Sequence, residues 1–470
     1  MRLESPGLKR VLILLFSLLP ASLMWLSCGG SSSSGSTTTS GVAYRAFITN
    51  SVSAGTAAAG VNIVNAATDV RAGGTTISAG NTPGMMVLTP NRAQTVVFSG
   101  NGTQFSDNQL TIINNTSESN AAHITLPGIT ESFVVSPNSA TAYVAVPTAP
   151  VTGQSPGIVE AITLSSGTVT GQADVPSVHY LSIDNSGNRI FGFSDNSDSV
   201  AVITPSQIGI GNAVTYVGGP GVFDRPVAAF FSSDDSTAYV VSCGAECGGT
   251  QASVQQFNLN TNTLVASVPA CAPGTTQCAG TVALLNGSTM YLAGTPYSGG
   301  VPSQPCTGQT TAATTCGLLT IVDLTSMTVI NTAPIAITDG YHTQLSLAAN
   351  GQLFIGARTC TEIVPPIPPP QGAETRGCLS IYNTLSTAVG SAPAGGVLIP
   401  PANGDVTGIQ PIAKRGDAVA QEVVYVVQGG SLRIYDATID ALEYNPNNSN
   451  NPGQISGLVG QFIDVITVDF

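Results

Sequence analysis

Charged side chains are scarce in this 470-residue chain: they make up 8% of its residues, and lysine plus arginine number 13 against 26 aspartates and glutamates. The formal net charge is −13 at pH 7. Proteins that bind nucleic acid neutralise phosphates with lysine and arginine, and a surface so poor in cations cannot do so. We therefore expect no nucleic-acid partner. The acidity also keeps copies of the chain apart, which favours a monomer.

Several sequence motifs of common enzyme classes are missing as well. The chain has no HExxH and no Walker loop. Acidic turns such as residues 194–199 lack the closing glutamate of an EF-hand. No segment shows helical periodicity of useful length. These absences favour a binding protein over an enzyme, and they give no reason to expect a metal ion or another cofactor.

The first 41 residues differ in composition from the rest of the chain. Residues 1–10 carry three basic side chains, residues 11–27 form an apolar run that Pro20 interrupts, and residues 29–41 are all glycine, serine or threonine. A basic start and a short apolar run are typical of a secretory signal, whereas a membrane helix would be longer. The polar segment cannot bury area, so it is expected to be a flexible tether.

Cys28 stands at the junction between the apolar run and the tether. Residues 25–28, Trp-Leu-Ser-Cys, resemble a bacterial lipobox, which implies cleavage before Cys28, lipidation of its sulfur and attachment to a membrane. No aspartate follows the cysteine, so the resemblance further implies the outer membrane, facing the periplasm or the cell exterior. An ordinary secretory signal with an unmodified cysteine is the alternative. We predict a lipoprotein signal peptide at 1–27, a lipidated tether at 28–41 and a folded domain at 42–470.

The cysteines after Cys28 are even in number in an exported chain, which predicts disulfides. They occur as close neighbours, and pairing each cysteine with its neighbour is the most economical of the possible connectivities. Zinc is the alternative for the first pair, but no second pair at zinc-finger spacing and no adjacent histidine accompany it. The predicted disulfides are Cys243–Cys247, Cys271–Cys278, Cys306–Cys316 and Cys360–Cys378.

A repeat runs through residues 42–470. Segments such as FVVSPNSATAYVAV at 133–146 and AFFSSDDSTAYVVS at 229–242 contain a short apolar run, a polar turn and a second apolar run. This pattern is typical of a β-hairpin, and a second hairpin pattern follows each copy, so one unit comprises four short strands. The third strands of the units are predicted to begin near residues 61, 110, 159, 200, 254, 319, 379 and 432.

Four short antiparallel strands repeated many times predict an all-β protein with the architecture of a single β-propeller, in which radial repetition protects the strand edges. The repeat resembles the YVTN-type β-propeller repeat family. The resemblance rests on the SPN and AYV segments of the first hairpin and on the alternating apolar residues and threonines of the second. The resemblance covers nearly all of residues 42–470. It implies an extracytoplasmic propeller related in fold to lactonases. FITN at 47–50 echoes the YVTN motif itself.

The two ends of the repeat bear on the number of blades. The first copy begins at residue 43 without an inner strand, and residues 460–470 are left over after the last copy. A spare strand at the C-terminus and a missing strand at the N-terminus can complete the same blade. This predicts eight four-stranded antiparallel blades closed by the C-terminal strand. Seven blades are the alternative, with the first copy as a capping pair of strands.

Alternation of strand direction places the connections from strand 2 to strand 3, and those from blade to blade, on one face of the propeller. The long insertions and all four predicted disulfides fall on that face, as rigid and elaborated binding loops require. The starts of the inner strands should line the mouth of the central channel there. Candidate catalytic or metal-binding side chains near this mouth are Glu131, His179, Asp224, Arg225, Asp339, His342 and Asp405.

These candidates leave two functions open. Carboxylate and histidine groups at the mouth would bind a divalent ion or polarise an ester carbonyl in a lactonase- or esterase-type hydrolase. However, the candidates are spread over several blades, and a histidine in an apolar strand is more often a core residue. The sequence therefore favours a membrane-anchored, extracytoplasmic binding module for a protein or a glycan, with the hydrolase as the alternative and no residue assigned as catalytic.

Overall fold

The computed structural model describes residues 39–52, 58–73, 76–100, 107–298, 301–302, 317–362, 376–389, 393–412, 423–438, 441–442, 453–455 and 457–469. Within these ranges the secondary structure is almost entirely β-strand, and the helices are the 3₁₀ turns Pro205–Gln207 and Gly244–Cys247. No helix in the described ranges is long and apolar enough to cross a membrane. The predicted signal peptide, Cys28 and most of the predicted tether lie outside the described residues.

The described residues form eight antiparallel blades. Blade 1 contains β1 (Arg45–Asn50), β2 (Gly60–Asn65) and β3 (Val70–Arg71). Blade 2 contains β4 (Pro83–Leu88), β5 (Gln94–Ser99), β6 (Gln109–Asn114) and β7 (Ser119–Thr125). Blade 3 contains β8 (Ser132–Val135), β9 (Thr141–Val146), β10 (Ile158–Thr163) and β11 (Thr168–Asp174). Blade 4 contains β12 (Val178–Ile183), β13 (Ile190–Ser194), β14 (Ser199–Ile203) and β15 (Val214–Gly218).

The second half of the chain continues the pattern. Blade 5 contains β16 (Pro226–Phe231), β17 (Thr237–Ser242), β18 (Ser253–Asn258) and β19 (Thr263–Pro269). Blade 6 contains β20 (Val282–Asn286), β21 (Thr289–Gly294), the small hairpin β22 (Tyr297–Ser298) and β23 (Val301–Pro302), then β24 (Gly317–Asp323), with β25 (Thr328–Val329) and β26 (Ile335–Ile337) both paired to β24. Blade 7 contains β27 (Tyr341–Leu347), β28 (Gln352–Arg358), β29 (Leu379–Asn383) and β30 (Val397–Leu398). Blade 8 contains β31 (Val406–Ile412), β32 (Val423–Gln428), β33 (Ser431–Asp436) and β34 (Ala441–Leu442), and β35 (Phe462–Thr467) completes blade 1.

The predicted eight-bladed, all-β propeller is therefore confirmed, and the seven-bladed alternative is wrong. The third strand of each blade begins within two residues of its predicted position. The strands could be located because the middle strands are short, largely apolar runs buried on both faces, as in β9 and β10. Phe98 of blade 2 and Val144 of blade 3, for example, lie in one hydrophobic cluster between the two blades. Burial of such side chains, at about 1.5–3 kcal/mol each, holds neighbouring blades together.

The C-terminal strand closes the ring as predicted. β35 pairs with β1 in antiparallel register, with Phe47 opposite Ile466 and Ile48 opposite Val465. Its Phe462 packs in a cluster with blade 8, which joins the last blade to the first. Inner strands contact their neighbours around the channel in the order β35, β4, β8, β12, β16, β20, β27 and β31.

Three of the four predicted disulfides are present: Cys243–Cys247, Cys271–Cys278 and Cys360–Cys378. The fourth, Cys306–Cys316, lies outside the described residues. The first and third bridges close connections between strands 2 and 3, and the second closes the connection from blade 5 to blade 6. Strand alternation places all three on one face, which we call the loop face.

Candidate functional site

A pocket of about 320 Å³ opens on the loop face at the mouth of the central channel. Blades 4, 5 and 7 form its walls, because the inner strands of these blades begin there. The side chains that carry its chemistry are Tyr180, Asp195, Arg225, Glu246 and Tyr341, with Cys247 at its edge. We call this cavity the mouth pocket. The two tyrosines are 161 positions apart in the sequence, the largest separation among the pocket residues. Only the closed ring brings them together.

The two tyrosines connect opposite sides of the mouth. The hydroxyls of Tyr180 in β12 and Tyr341 at the start of β27 are 3.1 Å apart and share a hydrogen bond. Burial raises the pKa of both hydroxyls, so they stay protonated and able to donate. Gly340, at φ +100°, sets the direction in which the chain enters β27, and a Cβ there would lie 2.4 Å from the carbonyl oxygen of Arg358.

His179 lies beside the tyrosines and is held by two carboxylates. Its Nδ1 is 3.2 Å from an oxygen of Glu131, and its Nε2 is 2.9 Å from an oxygen of Asp195. The hydrogen bond with Glu131 raises the pKa of His179, and the same bond lowers the pKa of Glu131. The structure thus brings together two residues predicted for the mouth, and it adds Asp195, which the sequence did not indicate. Both ring nitrogens of His179 are engaged.

Arg225 lines the mouth pocket and forms an ion pair with Asp198. Its Nη1 lies 3.1 Å from Oδ1 of Asp198, and its backbone N–H donates to the same oxygen at 3.2 Å. The residue has a φ of 58°, a conformation that is uncommon for a residue with a side chain. The two contacts to Asp198 fix this conformation, so the guanidinium keeps one direction at the pocket wall.

Glu246 is the pocket residue that the sequence analysis missed most clearly. It lies in the 3₁₀ turn Gly244–Cys247, which the Cys243–Cys247 disulfide closes, and its Oε2 accepts a hydrogen bond of 2.8 Å from the backbone N–H of Thr295. Burial raises the pKa of Glu246 to about 8. At neutral pH this side chain is therefore mostly a neutral carboxylic acid, which both donates and accepts hydrogen bonds.

The prediction that His342 lies at the mouth is wrong. His342 is 1% exposed, and its Nε2 is 2.9 Å from the carbonyl oxygen of Thr338 inside the blade. Burial lowers its pKa to about 4. The cause is a β-bulge near the start of each of these inner strands, between Val178 and Tyr180 in β12 and between His342 and Gln344 in β27. His342 therefore takes the buried position of Val178, whereas His179 is the bulged residue.

Three predicted acids hold loops instead of facing the channel. Asp224 accepts hydrogen bonds from the backbone N–H groups of Thr250 and Gln251 and from the hydroxyl of Thr250. Burial opposes its ionisation, but these hydrogen bonds outweigh burial and lower the pKa of Asp224. Asp339 and Asp405 act similarly: they accept the backbone N–H groups of loop residues 361 and 359, each at 2.7 Å.

Residues 153–157, Gly-Gln-Ser-Pro-Gly, match the GxSxG pattern of hydrolases. Ser155 is exposed in the connection between β9 and β10. A nucleophile elbow requires a turn from a strand into a helix, and this loop joins two strands. The match therefore has no catalytic context. Among the described residues, no group of three or more His, Cys, Asp or Glu side chains is placed to hold a metal ion.

Comparison with solved structures identifies the fold. The dihydro-heme d1 dehydrogenase NirN aligns with a TM-score of 0.55 at 12% identity, over 90% of this chain and 75% of the other. The Dos1 propeller aligns with a TM-score of 0.50 at 9% identity, over 78% of this chain and 83% of the other. At such identities the similarity establishes a β-propeller and carries no function. The class of protein is thus a disulfide-bonded β-propeller.

No protein-family model matches the sequence, and no curated protein matches it. The resemblance to the YVTN-type repeat family therefore stays a prediction, and so does the lipobox. The site must be interpreted from its own geometry.

Proposed function

We propose that this protein is an extracytoplasmic binding module that holds its partner, a protein or a glycan, on the loop face, with the mouth pocket as the anchor point. One observation carries the proposal: aromatic, acidic and basic side chains of three blades converge in a single pocket of ligand size. Pockets that bind small groups are usually preformed, concave and lined by a few placed polar groups. Such groups determine orientation and specificity.

The loop face also has the rigidity that binding requires. The Cys243–Cys247 bridge encloses Glu246 and borders the pocket, and the Cys360–Cys378 bridge holds the neighbouring loop of blade 7. Asp224 and Asp339 attach further loop segments by hydrogen bonds to backbone N–H groups. Preorganised loops lose little conformational entropy when a partner binds, so more of the contact energy appears as affinity.

The hydrolase is the second candidate, and the mostly neutral carboxyl of Glu246, in the same pocket as the Asp195 side chain, favours it. Two carboxyl groups in different protonation states are typical of acid–base chemistry. His179 argues against it, because both of its nitrogens face carboxylates and neither is free to accept a proton from a substrate. A screen of lactones and esters with and without divalent metal separates the two functions. Turnover that His179→Ala abolishes would establish the hydrolase.

The location we propose is the outer membrane, with the propeller facing the periplasm or the cell exterior. The disulfides support an oxidising, extracytoplasmic compartment. Lipidated Cys28 would supply the anchor, and the polar segment after it, residues 29–41, would supply the tether. Intact-mass analysis of the mature protein tests this: we expect a chain that begins at acylated Cys28 and contains no tryptophan, since Trp25 is the only one. A chain that retains Trp25, or an unmodified Cys28, contradicts the proposal.

The binding proposal is tested by capture of partners from cell envelopes with the immobilised mature protein. Tyr341→Arg places a bulky charge in the mouth pocket and should abolish capture. Asp234→Arg makes a matched change in the turn between β16 and β17, on the opposite face, and should leave capture intact. Protease or glycosidase treatment of the envelopes then tells whether the partner is a protein or a glycan. Capture that survives Tyr341→Arg contradicts the proposal.

A further inference from the structure

The charged groups of the mouth pocket and its rim balance each other. The ionisable acidic and basic side chains that line the pocket itself are Asp195, Arg225 and Glu246. Asp195 and Arg225 have opposite charges, and each has a partner at the rim, His179 for Asp195 and Asp198 for Arg225. The carboxyl group of Glu246 is mostly neutral because burial raises its pKa to about 8. The site therefore has no net charge for a charged ligand to match.

The polar atoms of the pocket are both donors and acceptors. The phenol groups of Tyr180 and Tyr341 and the protonated carboxyl of Glu246 donate and accept, the Asp195 carboxylate accepts, and the Arg225 guanidinium donates. A ligand suited to this set carries hydroxyl groups, since each hydroxyl is also a donor and an acceptor. The tyrosine rings add apolar faces, and Tyr341 is 38% exposed. A tyrosine side chain has an apolar ring and a polar hydroxyl, so it is suited to contact a ligand ring that carries both C–H and hydroxyl groups.

We propose that the mouth pocket binds a neutral sugar residue, whose hydroxyls replace the hydrogen bond between Tyr180 and Tyr341 and whose ring packs against the Tyr341 side chain. This inference rests on the proposed function, namely that the loop face is a binding surface. A volume of about 320 Å³ is at the lower end of the range for ligand pockets, roughly 300–1,000 Å³. It is therefore suited to one or two sugar rings at the end of a glycan.

A charged ligand fits the site less well. An ammonium group would lie near the guanidinium of Arg225, and a salt bridge with Glu246 would require that carboxyl group to lose its proton. A carboxylate or phosphate group would meet Asp195, whose side chain is already turned toward His179. Like charges at such short range disfavour both ligands, whereas a neutral hydroxyl-rich group meets no such repulsion.

The test is a calorimetric titration of the mature protein with monosaccharides that are similar in size but differ in charge. Glucose, galactose and N-acetylglucosamine are the neutral probes, glucosamine is the cation and glucuronate is the anion. We expect a neutral sugar to bind at least about tenfold tighter than its charged counterpart. Tyr341→Ala and Glu246→Ala should each weaken this binding by about tenfold. Tyr216→Ala, a change in an exposed tyrosine of the outer strand β15, is the matched control and should leave the affinity unchanged.

Each other result overturns the inference. A preference for glucosamine or glucuronate shows a charged ligand, and binding that Tyr341→Ala leaves intact shows a different site. Suppose that no sugar in the series binds, but that the parent protein captures an envelope protein and the Tyr341→Arg variant does not. The proposed binding function then stands, and the sugar inference is wrong. If the Tyr341→Arg variant also captures the envelope protein, both the proposed binding function and the sugar inference are wrong.

Discussion

Removal of the C-terminal strand should destabilise the whole propeller and not only its tail. Deleting residues 460–470 takes away β35, which pairs with β1 and completes blade 1. Three apolar side chains of the deleted segment are almost fully buried: Phe462 (4% exposed), Val465 (4%) and Val468 (2%). At about 1.5–3 kcal/mol each, their burial contributes roughly 5–9 kcal/mol, against a total stability of about 5–15 kcal/mol for a typical domain.

Polar contacts of the same strand join blade 1 to blade 2 and would be lost as well. Asp464 accepts the backbone N–H of Met86 in blade 2 at 2.8 Å, and Arg92 donates to the carbonyl oxygen of Thr467 at 3.0 Å. The deletion would also expose an unpaired edge on β1, which promotes aggregation. We therefore expect the truncated protein to aggregate or to become sensitive to thermolysin throughout the chain.

Single substitutions in the same segment test ring closure even if the truncated protein fails to fold. Phe462→Ala should lower the free energy of unfolding in urea by about 3–5 kcal/mol, the usual cost of a buried phenylalanine. Val459→Ala, in the same segment but 55% exposed, is the matched control and should change it by less than about 0.5 kcal/mol. Deletion of residues 29–38, within the predicted tether at 28–41, should leave the melting temperature unchanged. Our reasoning on ring closure is refuted if the C-terminal deletion melts like the parent protein.

Three further predictions concern titration and the loop face. In NMR titrations the pKa of His179 should lie above its ordinary value of about 6.5 and should fall in Glu131→Gln, because the hydrogen bond that stabilises the imidazolium is lost; an unchanged pKa would contradict the contact. Burial raises the pKa of Asp464 to about 7, so between pH 4 and 7 the folded protein holds a proton that the unfolded chain releases. The free energy of unfolding should therefore fall by up to about 1.4 kcal/mol per pH unit as the pH rises through this window. Urea unfolding at several pH values should show this slope, and Asp464→Ala should reduce it; an equal slope in both proteins would contradict the prediction. Replacement of Cys243 and Cys247 by alanine should cost about 2 kcal/mol and abolish partner binding, because the bridge holds the turn at the pocket; binding that persists would separate the bridge from the site.

The fold could be predicted because its information is local and repeated. Each unit carries its own turn and alternation signals, so the third strands could be located to within two residues, and counting strands at both ends revealed the closure between β1 and β35. Pairing cysteines with their nearest neighbours worked for the same reason: each described bridge closes one short loop. A β-propeller is largely a sum of such local units.

The site could be predicted only in part, because it depends on register and on loop geometry. The bulges in β12 and β27 decide that His179 faces the mouth while His342 is buried, and nothing in the apolar pattern of β27 marks its bulge. Tyr180 and Tyr341 meet across three blade intervals, which only the closed ring determines. Glu246 had one local signal: it stands between two cysteines that form a short bridge, so its side chain had to be held on the loop face.

Site-specific photo-crosslinking tests the central claim, that the loop face is the binding surface, most directly. A photoreactive amino acid is placed either at Asn196, an exposed residue that lines the mouth pocket, or at Asp234, on the opposite face, and the protein is irradiated in intact cells. We predict covalent adducts from position 196 and none from position 234. Adducts that form from position 234 alone, or equally from both, would contradict it.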